Sequence, residues 1–126
     1  MLSKTDLDDA LHALPIIEEI GVFAGVPGYS KVVEQWISRG EATLFTEGES
    51  FVVLHPRAFG DHLTVIVRAA WSKEGNALEK YQPEIQELAK AVGASKLRFE
   101  TARVGFDRCA PKLGWEKTLT TWEQGL

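Results

Sequence analysis

Thr101-Ala-Arg-Val-Gly-Phe-Asp-Arg-Cys-Ala-Pro-Lys-Leu-Gly-Trp115 decides how the rest of the chain is read. It lies between two strand-like segments. It reads as a strand exit, a short amphipathic helix and a Leu-Gly-aromatic stop that returns the chain to a sheet. Immediately before it, Lys96-Leu-Arg-Phe-Glu-Thr101 alternates strictly, as a half-exposed strand does. After it, a final strand is expected from about Trp115 to Trp122.

Working outward, His62-Leu-Thr-Val-Ile-Val-Arg-Ala-Ala-Trp71 is nearly all apolar and reads as a central strand covered on both faces. Lys73 to Asn76 is a loop, and Leu78, Tyr81, Ile85, Leu88 and Val92 then recur at helical spacing. Pro83 is read as the first turn of that helix and Gly93 as its stop. A strand, helix and strand over residues 63–101 predict a right-handed parallel crossover. Upstream, Glu41 to Thr46 alternates weakly, Glu47-Gly48-Glu49 is a tight turn, and Ser50 to His55 is a strand that Pro56 ends. These consecutive strands are expected to pair antiparallel.

The N-terminal part reads as helical. Thr5 caps a first helix carrying Leu7, Leu11 and Leu14 on one face; Pro15 breaks it and starts a short turn from Ile16 to Phe23. Gly21, Gly25, Pro27 and Gly28 make a loop. Ser30 caps a helix with the apolar stripe Val32, Val33, Trp36 and Ile37, and Gly40 stops it. The expectation is one α/β (α+β) domain over residues 1–126, with residues 1–28 as its N-terminal helical segment. Its mixed sheet has antiparallel N-terminal strands, a central parallel crossover and helices on both faces.

Composition narrows the function classes. A net charge of −4 gives no general attraction to phosphate backbones, which argues against nucleic acid as partner. The single Cys109 excludes an internal disulfide and suits a reducing compartment. No apolar run approaches the roughly 20 residues that cross a bilayer, and the first residues carry acid rather than a signal sequence. The expected location is cytoplasmic.

The order of elements, with the Leu113-Gly114-Trp115 stop, resembles the GNAT (Gcn5-related N-acetyltransferase) fold over roughly Ser30 to Leu126. The family pattern there is Asn-x-x-Ala-x-x-Leu-Tyr-x-x-x-Gly-Phe. Aligned on Gly114 and Trp115, it puts Arg103 at the Asn, Phe106 at the Ala, Cys109 at the Leu and Ala110 at the Tyr that acts as general acid. Ala110 has no proton to donate to a departing thiolate, and Cys109, about 100° away around a helix, is a poor substitute. The resemblance also implies a Gln/Arg-x-x-Gly-x-Gly/Ala loop for the cofactor pyrophosphate. Here the loop is Ser72-Lys-Glu-Gly-Asn-Ala-Leu78, with one glycine, and Glu74 and Glu79 oppose a diphosphate while Lys73 offsets part of that. An ordinary Gly-Asn turn is the plainer reading. In overall character the chain is similar to the small GNAT-like proteins of tailed bacteriophages.

Three functions follow from this reading. The preferred one is a GNAT-fold binding or structural module that has lost acetyl transfer and takes no cofactor, a phage virion or assembly component whose partners are phage structural proteins. The second is an acetyl-CoA-dependent N-acetyltransferase, with His62, Asp61 or Glu100 as base and Val67, Arg68, Lys73, Gly75, Asn76 and Ala77 around the cofactor. The third is a small host-directed regulator that binds a bacterial protein. The few residues after Leu113 allow one strand, which leaves an open sheet edge for a partner or a second copy.

The remaining chemistry-bearing residues read as structural. His55 and His62 flank Pro56 to Asp61 and are expected to approach one another at one end of the sheet. No His/Cys spacing indicates a metal. Trp36 and Trp71 fall on apolar stripes and read as core, whereas Trp122 reads as an interface residue. The face Lys96, Arg98 and Glu100, with Arg103 and Arg108 nearby, reads as solvated and suited to an acidic partner.

Overall fold

The structure is a computed structural model and describes residues 1–100, 116–118 and 121–126. The short helix expected before Gly114, with Arg103, Phe106, Arg108, Cys109 and Ala110, lies outside the described residues, as does Trp115. Seven strands are seen among the described residues: β1 (Ser3–Lys4), β2 (Thr43–Glu47), β3 (Ser50–Phe59), β4 (His62–Trp71), β5 (Lys96–Glu100), β6 (Glu116–Thr118) and β7 (Thr121–Gly125). They form one sheet in the order β1-β2-β3-β4-β5-β7-β6. Every neighbouring pair is antiparallel except β4 and β5, which run parallel as the crossover requires. The helices are α1 (Ala13–Phe23), α2 (Tyr29–Ser38) and α3 (Ala77–Ala91).

Successive strand residues face opposite sides, and the sheet carries a core on each. Val52, Leu54, Val65, Val67 and Leu97 pack with Tyr81, Ile85 and Ala89 of α3. Leu44, Phe51, Val53 and Ala69 pack with Ala13 and Ile17 of α1 and Val33 of α2. Helices α1 and α2 lie close: a methyl group on Gly21 would stand 2.2 Å from the Tyr29 Cβ.

Several elements depart from the sequence expectation, each for a local reason. Thr5 caps no helix; its hydroxyl lies 2.6 Å from the Thr46 hydroxyl and its N–H donates to the Leu44 carbonyl, beside the β1–β2 pairing. Only a 3-10 turn, Leu7–Asp9, follows, and α1 begins at Ala13 with Pro15 in its first turn. Ser30 is not the cap of α2 either. Gly28 occupies that position, and the Glu18 carboxylate of α1 accepts from the Gly28 N–H (2.9 Å), the Ser30 N–H (3.1 Å) and the Ser30 hydroxyl (2.9 Å). A carboxylate from a neighbouring helix thus replaces the local cap.

Two prolines are absorbed rather than obeyed. Pro56 continues β3, because β2 pairs only as far as Thr43 with Leu54 and leaves the strand an edge beyond that point. Pro83 lies inside α3, on its exposed side. The buried face of Ala77, Tyr81, Ile85 and Ala89 holds the helix together across it, against a cost of about 3 kcal/mol for an interior proline. At the C-terminus two strands replace the expected one. β6 and β7 pair antiparallel, Thr118 with Thr121, and β7 lies between β6 and β5, so among the described residues β5 has a strand on each side and β6 is the edge.

Candidate functional site

The site is built where β4 breaks its own register. Val53 of β3 pairs with Ala69 and Leu54 pairs with Val67, so Arg68 stands opposite no residue: a β-bulge. The extra residue shifts the phase of the strand. Val65 and Val67 face α3, whereas Ala69 and Trp71 join the α1–α2 side, where Trp71 stacks on Phe51 at 6.1 Å. The parallel pairing of β4 with β5 begins at Thr64–Lys96 and ends at Val67–Phe99, directly before the bulge. From there β4 stays with β3 up to Trp71–Phe51, while β5 stays with β7 up to Glu100–Thr121. The two central strands part company at Arg68.

Helix α2 fixes the bulge. Tyr29 and Trp36 are seven residues apart, two helical turns, and so share a face; their rings meet edge to face at 6.2 Å. The Tyr29 hydroxyl donates to the Arg68 carbonyl at 2.9 Å. The Arg68 guanidinium lies over the Trp36 ring at 4.4 Å, and its Nε–H donates to His55 Nδ1 at 3.1 Å. Trp36 and His55 are themselves in ring contact at 4.8 Å. His55 is 2% exposed. Burial first, then the Arg68 and Arg57 guanidinium groups, holds its imidazole below the ordinary value. Because Nδ1 accepts from Arg68, the neutral ring carries its proton on Nε2.

The second component is the turn from β4 into α3. Gly75 takes φ +88° and donates its N–H to the Ser72 carbonyl at 2.9 Å, which aims the chain into the helix. Asn76 stands at the N-cap without a side-chain capping bond. The first-turn N–H groups of α3 have no acceptor within the helix, and the helix dipole is positive there. Glu74 is drawn aside: the buried Ser72 hydroxyl donates to it at 2.6 Å and the Lys80 ammonium lies at 3.7 Å. These contacts, Ser72 foremost, hold its carboxyl below the usual carboxylate range. Lys80 also reaches Glu47 at 3.8 Å and Lys73 reaches Glu49 at 3.8 Å, so both cations lean toward the β2–β3 turn. Glu79 stays exposed in the first turn of α3.

The expected site residues divide between the two ends of β4. Val67 and Arg68 lie at the separation of the strands, and Lys73, Gly75, Asn76 and Ala77 follow in the turn and the start of α3. Asp61 and His62 form an exposed pair at 3.4 Å on the β3–β4 hairpin tip. That tip is about 20 Å of extended strand from Arg68. Glu100 ends β5, paired with Thr121. His55 and His62 do not meet, since His55 pairs with Ile66, four residues along β4, and turns to Arg68 instead. Arg98 is not merely solvated: it lies half-buried over the Phe59 ring at 4.6 Å. The sequence reading missed Tyr29 altogether and took Trp36 and His55 as structural. The available signals were the seven-residue spacing of the two aromatics and one arginine inside an otherwise apolar strand.

No protein-family model and no curated protein sequence matches this chain. Solved structures do. A crystal structure of a probable acetyltransferase superposes with a TM-score of 0.70 at 14% identity, over 94% of this chain and 91% of that one. N-acetylglutamate synthase from Neisseria gonorrhoeae, complexed with coenzyme A and N-acetyl-glutamate, matches with a TM-score of 0.67 at 15% identity. All of this chain is covered there, but only 35% of the synthase. PaiA N-acetyltransferase from Thermoplasma acidophilum, in complex with coenzyme A, matches with a TM-score of 0.57 at 14% identity, over 100% of this chain and 98% of that one. The fold is that of the GNAT acetyltransferases.

Proposed function

We propose that this chain is a coenzyme-A-dependent acyltransferase that moves an acetyl group from acetyl-CoA to an amine. One observation carries the reading: β4 leaves β5 at a bulge held by α2, and the same strand then turns into the uncapped start of α3. The β4–β5 ladder ends at Val67–Phe99, which leaves room beside β4 for another extended chain. An amide-bearing chain such as pantetheine can lie there in the manner of an added strand. Two of the structural neighbours carry coenzyme A.

The residues present fit that cofactor. Backbone groups of Val67 and Arg68 would meet pantetheine. Asn76 and Ala77, after the turn set by Gly75, would bring main-chain N–H groups and the positive end of the α3 dipole to the pyrophosphate. Lys73 would add a cation at the rim. When bound, acetyl-CoA supplies an acyl group already activated, as a thioester, toward attack by an amine. The chain's own contribution is positional: it holds two reactants in a fixed relation and so removes the entropy of bringing them together. Ser72 and Lys80 help by holding the Glu74 carboxylate toward the β2–β3 turn.

A module that binds without transfer is the second reading, and Glu79 favours it, as a carboxylate in the first turn of the helix that would face the diphosphate. Isothermal titration with CoA and acetyl-CoA separates the two. The transferase reading expects micromolar binding, tightened about two- to fivefold by Glu79→Gln and weakened by Lys73→Ala. It also expects release of free thiol when an amine acceptor is added. No binding of either ligand up to about 1 mM would falsify it and leave a protein partner as the function to look for.

A further inference from the structure

Beside the bulge clamp, on the α1–α2 side of the sheet, a cleft of about 620 Å³ is lined by Trp36, Gly40, Glu41, His55, Pro56 and Arg57. Its volume lies within the range of small-molecule sites. The fold makes this space for two reasons. Gly40, at φ +74°, ends α2 in a Schellman motif: its N–H donates to the Ile37 carbonyl at 3.1 Å, and the Glu41 N–H donates to the Trp36 carbonyl at 2.9 Å. That turn swings Glu41 back beside Trp36. Meanwhile β2 starts only at Thr43, opposite Leu54, so His55, Pro56 and Arg57 run on without a β2 neighbour and form the opposite wall.

We infer that this cleft binds a small zwitterion of the amino-acid or dipeptide class, its carboxylate held by His55 Nε2–H and Arg57 and its ammonium by Glu41. Three observations carry the inference. The His55 ring is almost fully buried yet lines the cleft, and Arg68 occupies Nδ1, which leaves Nε2–H as a fixed donor. Arg57 and Glu41 act on this ring with opposite sign, so a cation and an anion flank one donor. Among the described residues neither of them is engaged in an ion pair. Two opposite charges around one cleft, unpaired with each other, match a ligand that carries both. The Trp36 ring offers a wall for its apolar part.

Binding here needs no coenzyme A, so the test is run on the protein alone and its failure is distinct from failure of the acyltransferase reading. Titration calorimetry would compare L-phenylalanine and the dipeptide Ala-Phe with two half-charged probes, 2-phenylethylamine and 3-phenylpropanoate. At least one of the two zwitterions is expected to bind about tenfold or more tighter than either half-charged probe, which is 1.4 kcal/mol. Arg57→Gln is expected to weaken the zwitterion and 3-phenylpropanoate while sparing 2-phenylethylamine; Glu41→Gln is expected to do the converse. Both positions are exposed, so folding is not at stake. The inference is overturned if both zwitterions bind no tighter than the half-charged probes, or if neither substitution changes zwitterion affinity.

Discussion

The two faces of the β3–β4 pair are made by the same residues taken alternately, yet they are organised oppositely. Toward α3 the strands present Val52, Leu54, Val65 and Val67 to Tyr81 and Ile85, an unbroken apolar layer. Toward α1 and α2 the layer of Phe51, Val53 and Ala69 gives way, in the same strands, to His55 and Arg68 facing Trp36 and Tyr29. One face is spent on stability. The other admits His55 and Arg68, which partner one another beside the end of the β4–β5 ladder and the open cleft. The lesson is that a sheet can carry a continuous apolar core and a polar pocket at once if the two fall on different faces.

The largest test of that division is Ile85→Ala on the α3 face, where Ile85 is fully buried. It is expected to cost about 2–5 kcal/mol in urea unfolding; a loss below about 1 kcal/mol would mean that this face does not carry the fold. Gly21→Ala comes next. Its methyl group would collide with the Tyr29 Cβ, and forcing α2 outward is expected to cost about 1–3 kcal/mol. It is also expected to disturb the Arg68 clamp, read as a change in tryptophan fluorescence from Trp36. An unchanged spectrum would separate helix spacing from clamp geometry.

Smaller effects sharpen the polar side. His55→Phe leaves the Arg68 Nε–H without its acceptor, for about 1 kcal/mol, and removes a pH dependence. The folded ring binds its proton less readily than the unfolded one. The neutral ring's contribution is therefore complete above the unfolded value and is lost as pH falls through the lower folded value. Stability of the variant should thus fall less steeply than that of the parent between about pH 7 and pH 5, and parallel curves would count against the clamp. Glu18→Gln is expected to have the smallest effect. Hydrogen bonds from Gly28, then Ser30, lower the Glu18 pKa, so its contribution is present above the ordinary carboxylate value and fades as pH falls through the lowered one. A thermal scan in acid should show the variant less sensitive there.

Much of this was legible in the sequence. The apolar run from His62 to Trp71, the helix after it and the alternating Lys96–Thr101 segment yielded the parallel crossover, and with it the fold class. What escaped was decided by partners distant along the chain. Local propensity makes Pro56 a strand end and Pro83 the first turn of its helix, whereas an absent β2 neighbour lets β3 run on through Pro56 and a buried helix face lets α3 start at Ala77, before Pro83. Ser30 was read as a cap because no local rule brings Glu18 from another helix. Gly75 and Asn76 lie in the loop that the sequence indicates there, whereas the contacts of Glu74 with Ser72 and Lys80 have no signature in the sequence. The bulge was invisible for a simpler reason. An extra residue shows only when the opposite strand is laid beside it.

That extra residue also constrains how such a chain can change. Exchanging the Arg68 side chain would leave the backbone offset in place, whereas deleting one residue at the bulge would let Val67, Ala69, Ala70 and Trp71 pair in regular register with Leu54, Val53, Val52 and Phe51, and the offset would vanish. Lineages descended from such a chain can therefore drift freely in the chemistry of this spot, but they can lose its shape only in one abrupt step.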